Sequence, residues 1–211
     1  MRENNRGKIK KPNTYILTLN KTYAITGGIG SGKSTVCQIL KERGFEVFSA
    51  DEVYKELLKS PSFVKKIYTT LGINSDDYDN FNTKLVAEKV FNDKKLLSLL
   101  DNVTHPEIMR GLLLKSKEVN GLCFNEVPLL FESGYPPLYD GVIVVMRDIN
   151  LRKNGVMSRD NISEEEFFKR VNNQFDYKNI SEIEHTVITN DGDLEELKVK
   201  VKAVVNEIQK G

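Results

Sequence analysis

Short apolar runs alternate with amphipathic stretches over most of the chain after residue 20. The runs predict five strands, at residues 22–26, 46–49, 122–127, 142–146 and 186–189. The fourth is a continuous Val/Ile run, which is typical of a strand buried on both faces of a parallel sheet. Between the runs, apolar residues recur at the helical period, first over 33–43 and then from residue 51 to 59. Strands separated by helices form βαβ units, so the pattern predicts an α/β fold with a mostly parallel sheet.

A long stretch after the second strand carries a helical pattern only. Leu96, Leu97, Leu100 and Val103 recur at the helical period within residues 62–119. The pattern therefore predicts a helical insert at about 60–120 that forms a lobe beside the sheet. Two capping patterns, Ser163 with Glu166 and Asp193 with Glu196, predict the starts of two later helices.

The charge balance and cysteine count exclude several classes of protein. Lys and Arg number 31 and Asp and Glu 30, and a net charge of +1 argues against a dedicated nucleic-acid or membrane-surface protein. Two cysteines make neither a disulfide framework nor a thiolate metal cluster, and they fit a reducing compartment. Apolar runs stay below the roughly 18 residues of a membrane span. We expect a cytoplasmic monomer or weak homo-oligomer without a membrane or nucleic-acid partner.

The first residues differ from the rest in composition. Residues 1–13 are polar and basic, with five Lys and Arg and one Glu. This composition predicts a disordered extension over residues 1–20, followed by a single domain over 21–211. A basic arm that contacts an anionic partner is the alternative.

The clearest chemical motif follows the first predicted strand. Residues 27–34 fit G-x-x-x-x-G-K-[ST], the phosphate-binding loop, and an amphipathic helix follows them. In such a loop, backbone N–H groups and the helix dipole face the phosphates, while Lys33 reaches the β and γ phosphates and Ser34 ligates Mg²⁺. The motif predicts ATP and Mg²⁺ binding by Gly28, Ile29, Gly30, Ser31, Gly32, Lys33, Ser34 and Thr35.

Two carboxylates follow predicted strands and extend this site. Asp51 comes after the second strand, where it could accept a proton, help hold Mg²⁺ or cap the next helix. Glu126 ends an apolar strand, the position of the acid that lies near Mg²⁺ in proteins with such loops. No D-x-x-G follows the loop and no N-K-x-D occurs, which excludes a GTPase switch and favours a small kinase.

Four segments together resemble one kinase family. Thr26–Ser34, Ser49-Ala50-Asp51, His105-Pro106-Glu107-Ile108 and Pro128-Leu129-Leu130-Phe131-Glu132 closely resemble dephospho-coenzyme A kinases. The resemblance implies a P-loop NTPase-like three-layer core with a five-stranded sheet, a helical coenzyme-binding lobe and a small lid at about 147–178. It implies transfer of a phosphoryl group from ATP to the 3′-hydroxyl of dephospho-CoA.

The resemblance also implies roles for single residues. Asp51 matches the catalytic base, Arg159 a lid arginine that closes on the triphosphate, and Asn190 a residue near the adenine. The implied acceptor-binding residues are Asp51, His105, Arg110, Pro128, Leu129, Leu130 and Glu132. Gln174 matches a family glutamine.

The residues alone favour plainer roles at some of these positions. His105 would precede a proline in the first turn of a helix, and Arg110 and Gln174 would be exposed on helices. Arg152, Lys153 and Arg170 are expected to be surface charges.

Some positions depart from the family pattern. Ser49 stands where the family has Asp, Gly155 where it has a lid Arg, and Glu184-His185 where it has Ala-Asp. The departures leave two alternatives open, a nucleoside monophosphate kinase on the same scaffold and a nucleotide-binding module without catalysis.

Overall fold

The computed structural model describes residues 20–91, 93–177, 180 and 185–210 of the 211-residue chain. The predicted basic extension, apart from Asn20, lies outside the described residues, as does Glu184.

A five-stranded sheet forms the centre of the fold, and all its neighbouring strands are parallel. The strands are β1 (Lys21–Thr26), β2 (Glu46–Ser49), β3 (Leu122–Glu126), β4 (Gly141–Met146) and β5 (His185–Thr189), in the order β2-β3-β1-β4-β5. The predicted α/β class and parallel sheet are confirmed. Because the strands are parallel, their carboxyl ends meet at one edge, and the predicted Asp51 and Glu126 come together there with the loop after β1.

Eight helices are described around this sheet. They are α1 (Lys33–Glu42), α2 (Ala50–Leu57), α3 (Pro61–Leu71), α4 (Thr83–Val90), α5 (Lys94–Lys117), α6 (Ile149–Asp160), α7 (Glu164–Asn172) and α8 (Leu194–Lys210). Along β4, Ile143 and Val145 pack with α1 and α8, whereas Val142 and Val144 pack with α2 and α5. This alternation, with a period of two residues, buries both faces of the sheet and makes the three layers.

The helical insert forms a lobe with its own apolar centre. Phe63, Ile67 and Tyr68 of α3 pack with Val86 of α4 and with the first turns of α5. The predicted helical stretch over 62–119 consists of three separate helices, α3, α4 and α5. Gly72, with φ of 62°, ends α3 in the left-handed conformation that favours glycine.

Helix α5 begins earlier than the proline pattern suggests. Asp93 caps it by accepting hydrogen bonds from Lys95 N at 2.9 Å and Leu96 N at 3.0 Å. Pro106 lies in the helix interior, where it removes one backbone donor to Asn102. The placement of His105 in a first turn is therefore wrong, because the helix begins at Lys94, eleven residues before it.

The predicted helix caps in the second half are present. Ser163 Oγ accepts from Glu166 N at 3.2 Å and Ser163 N donates to Glu166 Oε2 at 2.9 Å, which completes the capping box. Asp193 Oδ1 accepts from Glu196 N at 2.9 Å at the start of α8. Across the described ranges, every helix is too short or too polar to cross a membrane.

Candidate active site

The phosphate-binding loop occupies residues 27–32 between β1 and α1. Gly27 has φ of 147° and Gly32 of 95°, so both adopt conformations that side chains disfavour. A Cβ at Gly27 would overlap the Val145 carbonyl, and one at Gly32 would overlap Asn190 Nδ2. Glycine therefore lets the loop pack directly against the ends of β4 and β5.

Lys33 lies folded against this loop. Its Nζ donates to Gly27 O at 2.7 Å and to Gly28 O at 3.2 Å. Burial lowers the pKa of Lys33, and the nearby Glu126 and Asp51 carboxylates oppose that shift. Burial also raises the pKa of Glu126, while the Lys33 ammonium lowers it. The loop thus presents one buried cation opposite two acidic side chains.

A cavity of about 490 Å³ opens over the loop, and it is here called the donor cavity because the sequence predicts that ATP binds there. It brings together most of the predicted phosphate and metal residues. Its lining includes Ile29, Gly30, Gly32, Lys33, Ser34, Thr35, Asp51, Glu126, Arg147 and Arg159. Gly28 instead packs against the Arg152 guanidinium, and Ser31 is 1% exposed with its Oγ unbonded to any described residue. Neither of these two residues is part of the lining of the donor cavity.

The side-chain oxygen atoms that line this cavity are suitable ligands for Mg²⁺. The Ser34 hydroxyl and the carboxylates of Asp51 and Glu126 share its lining, and hard oxygen ligands are those that Mg²⁺ prefers. Over the described residues, no three His, Cys, Asp or Glu side chains gather as a metal cluster. A Mg²⁺ ion here would therefore be held by few protein ligands together with substrate phosphates, as is usual for Mg²⁺.

A smaller and largely apolar cavity, of about 140 Å³, adjoins the donor cavity, and it is here called the acceptor cavity because residues predicted to bind the acceptor line it. Its lining includes Asp51, Tyr54, His105, Pro128, Leu129 and Tyr135. Asp51 and Pro128 line both cavities. Ser49 is the N-cap of α2, which excludes capping as the role of Asp51 and places its carboxylate in the first turn.

The other predicted acceptor residues are dispersed around this cavity. His105 Nε2 lies 3.5 Å from Asp101 Oδ1. Glu132 lines an outer cavity next to His105, and its Oε1 accepts from Phe175 N at 2.8 Å.

Two predicted acceptor residues lie away from both cavities. Leu130 is fully buried in the core, where it packs with Leu112 and Met109. Its side chain therefore supports the core and is not available to contact an acceptor. Arg110 is 67% exposed, and its Nη2 lies 3.0 Å from Glu107 Oε2. An arginine already paired at the surface does not point to an acceptor phosphate.

Three residues in or after the predicted lid segment contact the phosphate-binding loop directly. Arg152 Nε donates to Ile29 O at 2.7 Å, so its prediction as a surface charge is wrong. Gln174 Oε1 accepts from Ile29 N at 2.7 Å, and Asn190 Nδ2 donates to Ser31 O at 2.9 Å. Asn190 therefore braces the loop, whereas the resemblance predicted a place near the adenine.

The remaining charges of the predicted lid segment lie partly in the donor cavity and partly outside it. Arg159 lines the donor cavity, while its Nε donates to Asp160 Oδ1 at 2.6 Å. Arg170 pairs with Asp160 at 2.9 Å and is 47% exposed, as expected of a surface charge, whereas Lys153, which pairs with Glu164 at 2.8 Å, is only 20% exposed. Arg147, which the sequence reasoning did not select, lines the donor cavity with a buried Nε. Its position directly after β4 is the signal that could have identified it.

Known proteins resemble this chain in both sequence and fold. A family model for dephospho-CoA kinase matches residues 22–196. A dephospho-CoA kinase of Fusobacterium nucleatum is 35% identical over 180 residues, which cover 84% of this chain and 93% of that protein. A dephospho-CoA kinase of Chlorobaculum tepidum is 35% identical over 190 residues, covering 85% and 91%.

Solved structures agree with these matches. The dephospho-CoA kinase of Campylobacter jejuni superposes with a TM-score of 0.67 at 30% identity, covering 90% of this chain and 98% of that one. A shikimate kinase of Acinetobacter baumannii, at 12% identity and a TM-score of 0.50, shares the fold alone. With a family model over most of its length and relatives above 30% identity, this chain belongs to the dephospho-CoA kinase family.

Proposed function

We propose that the protein transfers the γ-phosphoryl group of ATP to the 3′-hydroxyl of dephospho-CoA, giving coenzyme A and ADP. The observation that carries this proposal is the position of Asp51, which lines both the donor and the acceptor cavity. A carboxylate at such a junction can meet an acceptor hydroxyl and the phosphoryl group that it attacks. The names of the relatives supply the identity of the acceptor.

On the donor side, the loop provides positive charge and hydrogen-bond donors. Lys33 Nζ, bound to Gly27 O and Gly28 O, lies at the base of the cavity that would receive the phosphates. Phosphoryl transfer proceeds through a loose transition state, so positioning and charge neutralisation supply most of the catalysis. Arg159 adds a guanidinium at the rim, and Asp160 engages two of its five N–H donors.

Ser34 and Glu126 would hold Mg²⁺ with the β and γ phosphates. The ion, when bound, supplies charge neutralisation of the triphosphate. Glu126 has a second role here, because its carboxylate also balances the buried Lys33 ammonium.

On the acceptor side, Asp51 would take the proton of the 3′-hydroxyl as its oxygen bonds to the γ-phosphorus. The bond from that phosphorus to the bridging oxygen breaks, and ADP leaves with that oxygen. The apolar lining near Tyr54 and Leu129 keeps water from the attacking hydroxyl, which limits hydrolysis of ATP.

The test is ADP release from ATP and Mg²⁺ with dephospho-CoA offered as acceptor. Asp51→Asn should lower turnover by about 10²- to 10⁴-fold, the range for a lost general base, with little change in ATP affinity. Asp76→Asn, which removes an exposed carboxylate in the loop between α3 and α4, is the matched control and should leave turnover unchanged.

Different results would lead to different functions. Turnover of a nucleoside monophosphate but not of dephospho-CoA would show that the acceptor site has been rebuilt, against the proposal. No ADP release with any acceptor would indicate a binding module. Lost ATP affinity with normal turnover in Asp51→Asn would make Asp51 a binding residue and not the base.

A further inference from the structure

One short stretch of chain contacts both the donor and the acceptor side of the site. It comprises residues 174–177, here called the bridging segment, which follow α7. The inference below concerns this segment, and it rests on the proposed function because it assumes that the two cavities hold the donor and the acceptor.

Toward the donor side, the bridging segment holds the phosphate-binding loop. Gln174 Oε1 accepts from Ile29 N at 2.7 Å. Tyr177 Oη lies 3.2 Å from the hydroxyl of Thr26, a fully buried residue at the end of β1. Since Arg152 Nε donates to Ile29 O, both polar groups of Ile29 are bonded, and the orientation of this part of the loop depends on them.

Toward the acceptor side, the same segment is bonded to residues 129–132, here called the wall of the acceptor cavity. Phe175 N donates to Glu132 Oε1 at 2.8 Å. The Phe175 ring stacks on Phe131 with 4.8 Å between centroids, and Tyr177 meets Phe131 edge-on at 5.9 Å. Phe131 and Glu132 lie two and three residues after Leu129, which lines the acceptor cavity, so an acceptor that orders Leu129 also restrains the segment.

We infer that Glu132 and Gln174 are positioning residues that couple acceptor binding to donor binding through the bridging segment. An occupied acceptor cavity fixes the wall, the wall fixes Phe175 N through Glu132, and Gln174 is then held against Ile29. Coupling between two sites is reciprocal, so a bound donor strengthens acceptor binding by the same factor. Glu132 thereby acts on the donor side, although it lines only the outer cavity beside the acceptor.

The test measures binding of the β,γ-imido analogue of ATP with Mg²⁺ by calorimetry, with and without dephospho-CoA. In the wild-type protein, dephospho-CoA should tighten analogue binding at least about fivefold, the lower end of usual coupling. Glu132→Ala should bring this factor close to one. Even without dephospho-CoA, it should weaken analogue binding roughly three- to tenfold, as expected for one lost hydrogen bond.

Matched variants separate positioning from a general loss of structure. Glu132→Gln keeps an oxygen that can accept from Phe175 N and should restore the coupling. Glu207→Ala removes an exposed glutamate on α8 and should behave as the wild type. The double variant combines Glu132→Ala with Gln174→Ala. Its loss of analogue-binding free energy should be smaller than the sum of the losses in the two single variants, because both residues act along one connection.

Other results would overturn the inference. One is weaker dephospho-CoA binding in Glu132→Ala with unchanged analogue affinity and coupling, which would make Glu132 a direct acceptor ligand. Another is a lower melting temperature with intact coupling, which would mean a purely structural role. If the wild type failed to bind dephospho-CoA, the proposed function and the coupling would both fall, and the analogue-only comparison would still show whether Glu132 positions the phosphate-binding loop.

Discussion

Substitution of Gly32 by alanine tests how closely Asn190 braces the phosphate-binding loop. Gly32 has φ of 95°, and a Cβ there would overlap Asn190 Nδ2. The left-handed conformation costs about 1–2 kcal/mol for a residue with a side chain. Displacement of Asn190 breaks its 2.9 Å bond to Ser31 O and leaves buried polar groups unpaired, at about 1–3 kcal/mol. Gly32→Ala should therefore lower the free energy of unfolding by about 2–5 kcal/mol.

The double variant with Asn190→Ala decides whether this reasoning is right. Asn190→Ala alone should cost about 1–3 kcal/mol, since it removes the same hydrogen bond. Because Gly32→Ala already breaks that bond, the double variant should cost no more than Gly32→Ala alone. Urea unfolding of the four proteins gives these free energies. Fully additive losses would show that Asn190 does not restrict Gly32 and would refute the argument.

Three further predictions concern the site and the core. Lys33→Ala should abolish phosphoryl transfer and keep a cooperative urea transition; retained transfer would contradict its role. Leu112→Ala should lower the free energy of unfolding by about 2–5 kcal/mol because Leu112 is fully buried, and a loss below about 1 kcal/mol would contradict its place in the core. Arg110 and Lys66 hold the pKa of Glu107 below its usual 4.5. These interactions of the Glu107 carboxylate therefore add to the free energy of unfolding above about pH 4.5. The contribution disappears as the pH falls through the lowered pKa of Glu107 in the folded protein. Glu107→Gln should therefore unfold more easily than the wild type at pH 7 but not at strongly acid pH, and a difference that persists in acid would contradict this origin.

The fold was predictable because its elements follow from local patterns. A continuous Val/Ile run such as β4 has one favourable environment, the interior of a parallel sheet, and the loop motif of residues 27–34 fixes the edge where chemistry occurs. Helix α5 was less predictable, because Pro106 usually marks a first turn. Packing of the surrounding helix outweighs the one hydrogen bond that this proline removes.

The candidate site was predictable as far as its motifs extend. Lys33, Ser34, Asp51 and Glu126 line one cavity, as the strand ends indicated. The bond of Arg152 to Ile29 was not predictable, because it joins residues 123 positions apart and depends on how α6 packs over the loop. No local pattern distinguishes that arginine from the adjacent Lys153, which pairs with Glu164 instead. The expected monomer or weak homo-oligomer and the basic extension stay predictions.

The order of strands in the sheet also determines when this protein can fold during synthesis. The central strand β1 has its neighbours in β3 and β4, and Thr22 meets Cys123, which lies 101 residues later in the chain. At roughly 5–20 residues per second, a ribosome needs on the order of 5–20 s to supply that partner. For this interval the apolar β1 and the glycine-rich loop after it emerge without the sheet that will enclose them. The three central strands can therefore pair only after β3 and β4 have left the exit tunnel.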